Sequence, residues 1–506
     1  MSVESSDDGQ WGSRIGFILA AIGSAVGLGN IWRFSYMAYD NGGGAFLIPY
    51  FFALLTAGIP ILIMEFGFGH KMRGSAPFSF AKMGKKWEWL GWWQVLVSFV
   101  IATYYVVVIS WSLNYVTFSF NRVWGENPEA YFFGDFLQIT DGISQIGGIN
   151  FSVLISLLIV WGVSYIILYN GIEEGIEKAS KIFMPLLALF MIIITIRGVT
   201  LPGAMAGINK FLEPDFSALT DVKVWLAAYG QIFFTLSVGF AIMITYSSYL
   251  PEDSDIVNNA FITALSNSAF SFIVGIGVFG ILGYMAAQTG EPISKVVTSG
   301  IGLAFVAFPK AINMLPAFRS LFGVIFFLAL AIAGFSSCVS ILEAVIAAVR
   351  DKFDIGRKAA VNYVCSVGAV ISLLYTTGAG LYFLDIVDHF INQFGIALAG
   401  LVECIIIGWF YKVSIIREHA NRLSDFAIGS WWDIMIRVIT PICLGVAFVQ
   451  NTMKELAAPY GGYPMNAILK YGWSVAAGVI VLGIIMSLRP WKGKKSDELI
   501  SNREVM

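Results

Sequence analysis

The sequence predicts an all-α integral membrane protein, and three observations carry that reading. Of the 506 residues, 57% are hydrophobic and only 13% charged, whereas about a quarter of a soluble domain is charged. The apolar residues gather into about twelve stretches, most of them close to the roughly 20 residues a helix needs to cross a bilayer. Two of these stretches are interrupted by glycine and polar residues where a membrane helix should run on. Irregular backbone at that depth is tolerated only where it is buried in protein or lines a wet cavity.

The first stretch, 15–39, holds the clearest interruption: Gly23-Ser24-Ala25-Val26-Gly27-Leu28-Gly29-Asn30-Ile31-Trp32-Arg33-Phe34. Each glycine weakens a helix by roughly 1 kcal/mol relative to alanine. Asn30 and Arg33 then place an amide and a charge inside a span, and an ionisable group there marks a functional site. Gly23 and Gly27 also fit a GxxxG packing face. Together, a glycine run followed by polar groups is the pattern of a discontinuous helix at a solute or ion site.

The remaining stretches follow at 44–70, 88–121, 151–169, 176–197, 223–249, 257–286, 320–350, 359–376, 383–411, 431–452 and 467–489. The sixth of the twelve, 223–249, contains Gln231-Ile232-Phe233-Phe234-Thr235-Leu236-Ser237-Val238-Gly239-Phe240, a second interruption five spans after the first. Interrupted helices at matching places in two five-helix halves point to an inverted repeat with a midplane site. That repeat rests on position alone. The last two helices fall outside it. The chain then divides into an N-terminal segment 1–13, a transport core 14–411, two additional helices in 412–490 and a tail 491–506. The connection 287–319, with Ile301–Phe308 before Pro309 and Pro316, is apolar enough to fold back over the protein.

Most of the 31 Lys and Arg lie in alternate connections: Arg14, Lys71–Lys86, Lys178 and Lys181, Arg350–Lys358, Lys412–Arg422 and the tail from Arg489. The positive-inside bias predicts a multi-pass protein with both termini cytoplasmic. Short termini suggest a prokaryotic plasma membrane. Trp87, Trp89, Trp92 and Trp93 are expected to form an interfacial belt. A net charge of −2 argues against nucleic acid as a partner. Cys338, Cys365, Cys404 and Cys443 all fall in apolar stretches and read as packing residues. The polar, acidic start, Met1–Gln10, does not read as a cleavable signal peptide. His70, His389 and His419 lack metal-ligand spacing and no nucleophile–base constellation is visible, so an enzyme is not expected.

Trp11, the run Gly23–Phe34, Asn41-Gly42-Gly43-Gly44-Ala45-Phe46, Glu65 and Gln231–Gly239 together resemble the neurotransmitter:sodium symporter family. The match extends over the first ten helices in order. It is most similar to the prokaryotic amino acid transporters, including the bacterial leucine transporter. The resemblance implies sodium-coupled symport of a neutral, aliphatic L-amino acid, with two sodium sites. One would use the carbonyls of Ala25 and Thr235, the side chains of Asn30 and Asn267, the Thr235 hydroxyl and the substrate carboxylate. The other would use carbonyls of Gly23, Val26 and Ala333 and the hydroxyls of Ser336 and Ser337. The amides from Ala25 through Gly27 to Gly29 and the Tyr105 hydroxyl would receive the carboxylate. Carbonyls around Phe234 and the Ser237 hydroxyl would receive the amino group. Ile101, Phe234, Ser237, Phe240, Ser337 and Ile341 would line the side-chain pocket, where burying an unpaired charge is strongly unfavourable.

Chloride dependence is implied by one residue above all. Chloride-independent relatives carry a carboxylate one turn after the sodium-binding asparagine of helix seven, where this chain has Ser271 after Asn267. Tyr50 and Gln231, with Thr235 or Asn267 near, match the remaining chloride ligands. Arg33 and Asp388 resemble the outer gate, closing through water over a lid of Phe240 and Tyr105. Trp11, Tyr249 and Asp351 resemble parts of the inner gate, and Glu65 a scaffold that accepts from backbone amides freed by the breaks. The family's basic residue before the tryptophan is missing: Asp7, Asp8, Gly9 and Gln10 stand there. Asp351 is therefore expected to pair with Arg14 or Lys352, with a weak inner gate biased toward inward-open. His389 is expected to be a solvated helix-end residue. Glu343, Asp385 and Glu403 are expected only to pair within the bundle. An osmolyte or amine substrate such as glycine, taurine or a γ-amino acid is one alternative. A sodium-dependent amino acid sensor without net transport is another.

Overall fold

The computed structural model describes residues 9–298 and 300–505, so Asp7 and Asp8 lie outside the described residues. Apart from two isolated β-bridges, the regular structure described is helical. Among the described residues, ten helices are long and apolar enough to cross a membrane, and a bent pair passes the same test when its halves are taken together. That pair is α1 (Arg14–Ala25) and α2 (Leu28–Asp40), which meet at 53°. There follow α3 (Gly44–Met72), α4 (Lys85–Asn121), α5 (Phe151–Tyr169) and α6 (Ile172–Val199). Next come two short helices, α7 (Val222–Thr235) and α8 (Ile242–Ser248). The chain continues through α9 (Ile256–Thr289), α10 (Arg319–Phe353), α11 (Arg357–Thr376) and α12 (Gly380–Phe410). The last elements are α13 (Ser414–Leu423), α14 (Ser430–Gly462), α15 (Met465–Leu488) and α16 (Gly493–Val505).

Both interruptions have local causes. Ser13 starts α1, its hydroxyl accepting from the Gly16 amide. The helix stops where Val26 turns extended, with Gly27 extended after it. Asn30 then reaches back, its Oδ1 accepting from the Gly27 amide at 2.9 Å. This satisfies one of the donors that a new helix start leaves open. Between α7 and α8 the backbone takes positive φ at Ser237 (54°), Gly239 (79°) and Ala241 (63°). Two of these three are not glycine, and such strain concentrates at functional sites. The Ser237 hydroxyl donates to the Ser24 carbonyl at 2.9 Å, which joins the two breaks directly.

The breaks sit at the centre of the bundle. In its most apolar window α10 is 83% buried, whereas α14 and α15 are each 22% buried. The outer helices therefore turn most of their apolar side chains away from the protein. α10 packs along α4, where Gly334 leaves space for Ile109: a Cβ there would fall 2.5 Å from the Ile109 side chain. Only part of the tryptophan cluster is peripheral. Trp92 and Trp93 are 2% exposed, and the Trp92 indole donates to Glu88. Packing in the bundle takes half of the expected belt. The connection 287–319 does fold back, and Gly300–Gly302 reaches the central cavity.

Candidate functional site

A cavity of about 640 Å³ lies where the two breaks meet. Ala25, Gly27, Gly29, Ile101, Tyr105, Phe234, Thr235, Ser237, Phe240, Ser337 and Ile341 all line it. Its floor carries no charged side chain. Gly27 makes room there: a Cβ would sit 3.0 Å from Ser337 Oγ and 3.1 Å from Tyr105 Oη. The next amide, Leu28 N, points at Tyr105 Oη across 3.5 Å. A hydroxyl and one backbone amide at a helix start therefore share one corner, an arrangement that suits an anion.

Beside that corner the structure brings Asn30, Thr235, Asn267 and Ser271 together. Asn30 Nδ2 lies 2.7 Å from Asn267 Oδ1, 2.8 Å from Ser271 Oγ and 3.1 Å from Thr235 Oγ1. All four side chains are buried. On the other side of α1, Ser337 Oγ lies 3.4 Å from the Gly23 carbonyl and 3.3 Å from the Ser24 carbonyl. Gly23 faces Ser336, whose Oγ would be 2.2 Å from a Cβ built there. Val26 and Ala333 are buried nearby in sequence, with no side-chain hydrogen bond to either carbonyl among the described residues.

Tyr50 donates to Ser268 Oγ at 3.1 Å, and Ser271 lies one turn further along α9. Gln231 is fully buried, and neither atom of its amide has a hydrogen-bond partner among the described residues. An orphaned buried amide is costly, and in native structures it usually means a missing water or ion. Ser268 escaped the sequence reading. Its spacing of three from Ser271 on one helix face is the signal that could have found it.

Arg33 and Asp388 border the cavity at its far end, without a direct ion pair between them. The Arg33 guanidinium lies 4.4 Å from the Phe234 ring centroid. Asp388 accepts from Tyr104 Oη at 2.6 Å and from Asn392 Nδ2 at 2.8 Å. Tyr104 and Asn392 were missed, and only tertiary placement reveals them. His389 is not solvated: its Nε2 is 2.8 Å from Glu455 Oε1, and its ring stacks on Tyr460 at 3.6 Å. Asp385 accepts from Tyr460 and Tyr463.

At the opposite end, nearest the chain termini, the contacts are direct. The Trp11 indole donates to the Tyr246 carbonyl at 2.8 Å, and its amide to the Tyr249 carbonyl at 3.3 Å. Tyr249 Oη donates to Glu343 at 2.9 Å, and Arg357 makes a two-pronged ion pair with the same carboxylate. Glu343 thus has a specific partner set that the sequence did not disclose. Asp351 does not pair as expected. It accepts from the Ser75 amide at 2.8 Å, while Arg14 turns to Asp255 and Asn259, and Lys352 forms a buried ion pair with Glu88. Both basic side chains have nearer acids, and this decides the matter. Glu65 accepts from the Gly239 amide at 2.6 Å, at the second break. Close to Glu65, Glu403 accepts from Gln94 at 2.7 Å. Among the described residues no group of three or more His, Cys, Asp or Glu is arranged to hold a metal ion.

Two broken helices around a central cavity, inside a bundle of membrane-length helices, define a multi-pass membrane transport protein. The sequence pattern of the Sodium:neurotransmitter symporter family matches residues 8–128 and 123–492, and the chain belongs to that family. It is accordingly a sodium-dependent symporter and not an enzyme. It is 47% identical over 483 residues to an uncharacterized sodium-dependent transporter of Methanocaldococcus jannaschii, covering 96% of this chain and 98% of that protein. It is also 29% identical over 527 residues to the sodium- and chloride-dependent taurine transporter of Homo sapiens, covering 95% of this chain and 84% of that one. The taurine transporter of Canis lupus familiaris matches at 28% over the same length.

Proposed function

We propose that this protein is a sodium-coupled, chloride-dependent symporter of neutral, aliphatic L-amino acids, similar to the prokaryotic amino acid transporters of its family. It works by alternating access in the plasma membrane, with both termini cytoplasmic. The observation that carries the reading is the uncharged cavity floor at the meeting of the breaks. Gly27 leaves space beside Tyr105 Oη, and the Leu28 amide that points at this hydroxyl would turn to a carboxylate placed there. The carbonyls freed around Phe234 and the Ser237 hydroxyl suit an ammonium group. Ile101, Phe240 and Ile341 favour an apolar side chain. In this reading α1–α2 and α7–α8 are the first and sixth of twelve spans in a five-plus-five inverted repeat within residues 14–411.

Oxygens of Asn30, Thr235 and Asn267 suit one sodium ion, joined by the carbonyls of Ala25 and Thr235. Gly23, Val26, Ala333, Ser336 and Ser337 suit a second. The orphaned Gln231 amide, with Tyr50, Ser268 and Ser271 as hydroxyl donors, fits a halide and supports chloride as the balancing charge. The kinship with taurine transporters keeps taurine, glycine or a γ-amino acid as the second reading. The bulky apolar lining works against the smallest of these.

The test is a binding competition panel in detergent. Alanine through leucine should compete best, and preference for taurine, tryptophan or glutamate would overturn the assignment. Replacing chloride with gluconate should weaken binding, and Ser271→Glu should remove that dependence. Unchanged binding in gluconate would remove chloride from the account.

A further inference from the structure

Glu177, on the first turns of α6, is 1% exposed, and it is aimed at the start of α1. Its Oε2 accepts from the Gly12 amide at 2.7 Å, and its Oε1 accepts from Ser13 Oγ at 2.7 Å. Lys181, one turn on, approaches the same oxygen at 2.6 Å. The chain of α1 is shaped to receive this group. A Cβ at Gly16 would fall 2.2 Å from the Glu177 carboxyl carbon, and one at Gly12 would fall 2.6 Å from Glu173 Oε1. Any larger residue at position 16 would therefore collide with the carboxylate. The interaction sits where the helix dipole and the unpaired first amides favour negative charge.

α1 is the half of the first broken helix that ends at the cavity floor, and its base is also tied to α8 through Trp11 and to α9 through Arg14. Of these ties, only that to Glu177 couples a buried carboxylate to both a backbone amide and a side chain of the α1 start. We infer that Glu177 is a positioning residue that latches α1 to α6 and keeps the termini side of the cavity closed. It adds a second charged tie at the start of α1, beside that of Arg14 to Asp255. Tilting of α1 away from α10 breaks both acceptor contacts at once, and the carboxylate keeps Lys181 as its partner when that happens. The inference rests on the alternating-access reading above.

The experiment is hydrogen exchange on the full-length protein in lipid nanodiscs, in sodium or choline chloride, with sodium-dependent substrate binding measured in parallel. Glu177→Ala should raise exchange in Gly12–Ala25 several-fold in sodium, leave α2 at the wild-type level and weaken sodium dependence of binding several-fold. Glu177→Gln, which keeps an acceptor for Gly12, should fall between. Wild-type exchange of α1 in Glu177→Ala, or an equal rise in every helix, overturns the latch. Should Glu177→Ala not fold, Glu177→Gln removes the charge while leaving the Ser13 cap of α1 in place. A rise confined to α1 then supports the latch and no rise overturns it. A wild-type protein that fails to accumulate substrate defeats the symport reading and leaves the exchange result legible.

Discussion

The two ends of the central cavity are closed by different physics. Toward the termini, Trp11, Tyr249, Glu343 and Arg357 make direct hydrogen bonds and an ion pair whose carboxylate is fully buried. At the far end Arg33 rests on the Phe234 ring, Asp388 is held by Tyr104 and Asn392, and the two charges do not touch. A closure made of direct contacts to a buried charge is expensive to break one partner at a time. A closure in which the charges stay apart rearranges at little cost. On the termini side Asp351 pairs with neither Arg14 nor Lys352, which are engaged elsewhere. The ion pair of Glu343 and Arg357 takes the central place.

The largest effect should come from breaking the termini side. Arg357→Ala leaves the Glu343 carboxylate buried and unpaired, a loss of about 3–5 kcal/mol for such a pair. It should appear as a marked fall in melting temperature in detergent, and a variant as stable as wild type would break the comparison. Next comes the polar cluster between the two ends, the proposed sodium site. Asn267→Ala removes one neutral amide oxygen there, at a cost of about 1.5–3 kcal/mol if it is comparable to a hydrogen bond with a charged group. The sodium concentration for half-maximal binding should rise at least tenfold, with the melting temperature in choline little changed. Equal sodium dependence in the variant would move the ion elsewhere. Asp388→Asn preserves an acceptor for Tyr104, so the far end should stay folded while uptake falls several-fold. Uptake at the wild-type rate would show that the charges there play no part in closure.

The smallest effect concerns the rim of the termini side. His70 Nε2 lies 2.8 Å from the Pro251 carbonyl and 2.9 Å from the Arg73 guanidinium, and His70 Nδ1 lies 2.9 Å from His419 Nε2. Burial, with the charges of His70, Lys71, Arg422 and Arg73 around it, pushes the His419 imidazole down to about 4 from its ordinary 6.5. Between those values the unfolded chain binds the proton and the folded one does not. The contribution to stability is thus complete above pH 6.5 and lost as pH falls toward 4. His419→Gln should flatten a modest decline in melting temperature across that window, and an unaltered decline would assign it to other groups.

How far the sequence could be read follows the same division. The first break was legible because three glycines, an amide and an arginine within one apolar stretch have no ordinary helical explanation. The second was harder. Ser237 and Ala241 take left-handed backbone without being glycine, and only Gly239 advertises it. The cavity lining came from family likeness alone, and those residues do meet. The partners that complete each end did not show. Tyr104 lies 284 positions from Asp388, and Glu177 lies 165 from Gly12. Nothing local in either segment announces such a contact. Arg357 and Glu343 are only 14 apart, yet a helix end separates them and no periodicity links them. The tryptophan cluster misled because a membrane-interface composition and a buried helix-packing composition are alike.

The most direct test of the account is accumulation of a labelled aliphatic amino acid by proteoliposomes, driven by an inward sodium chloride gradient and compared with choline chloride. The account predicts uptake above equilibrium in sodium alone, abolished when the gradient is collapsed. Equal, merely equilibrating entry in sodium and choline would contradict it, as would sodium-dependent binding with no accumulation at all.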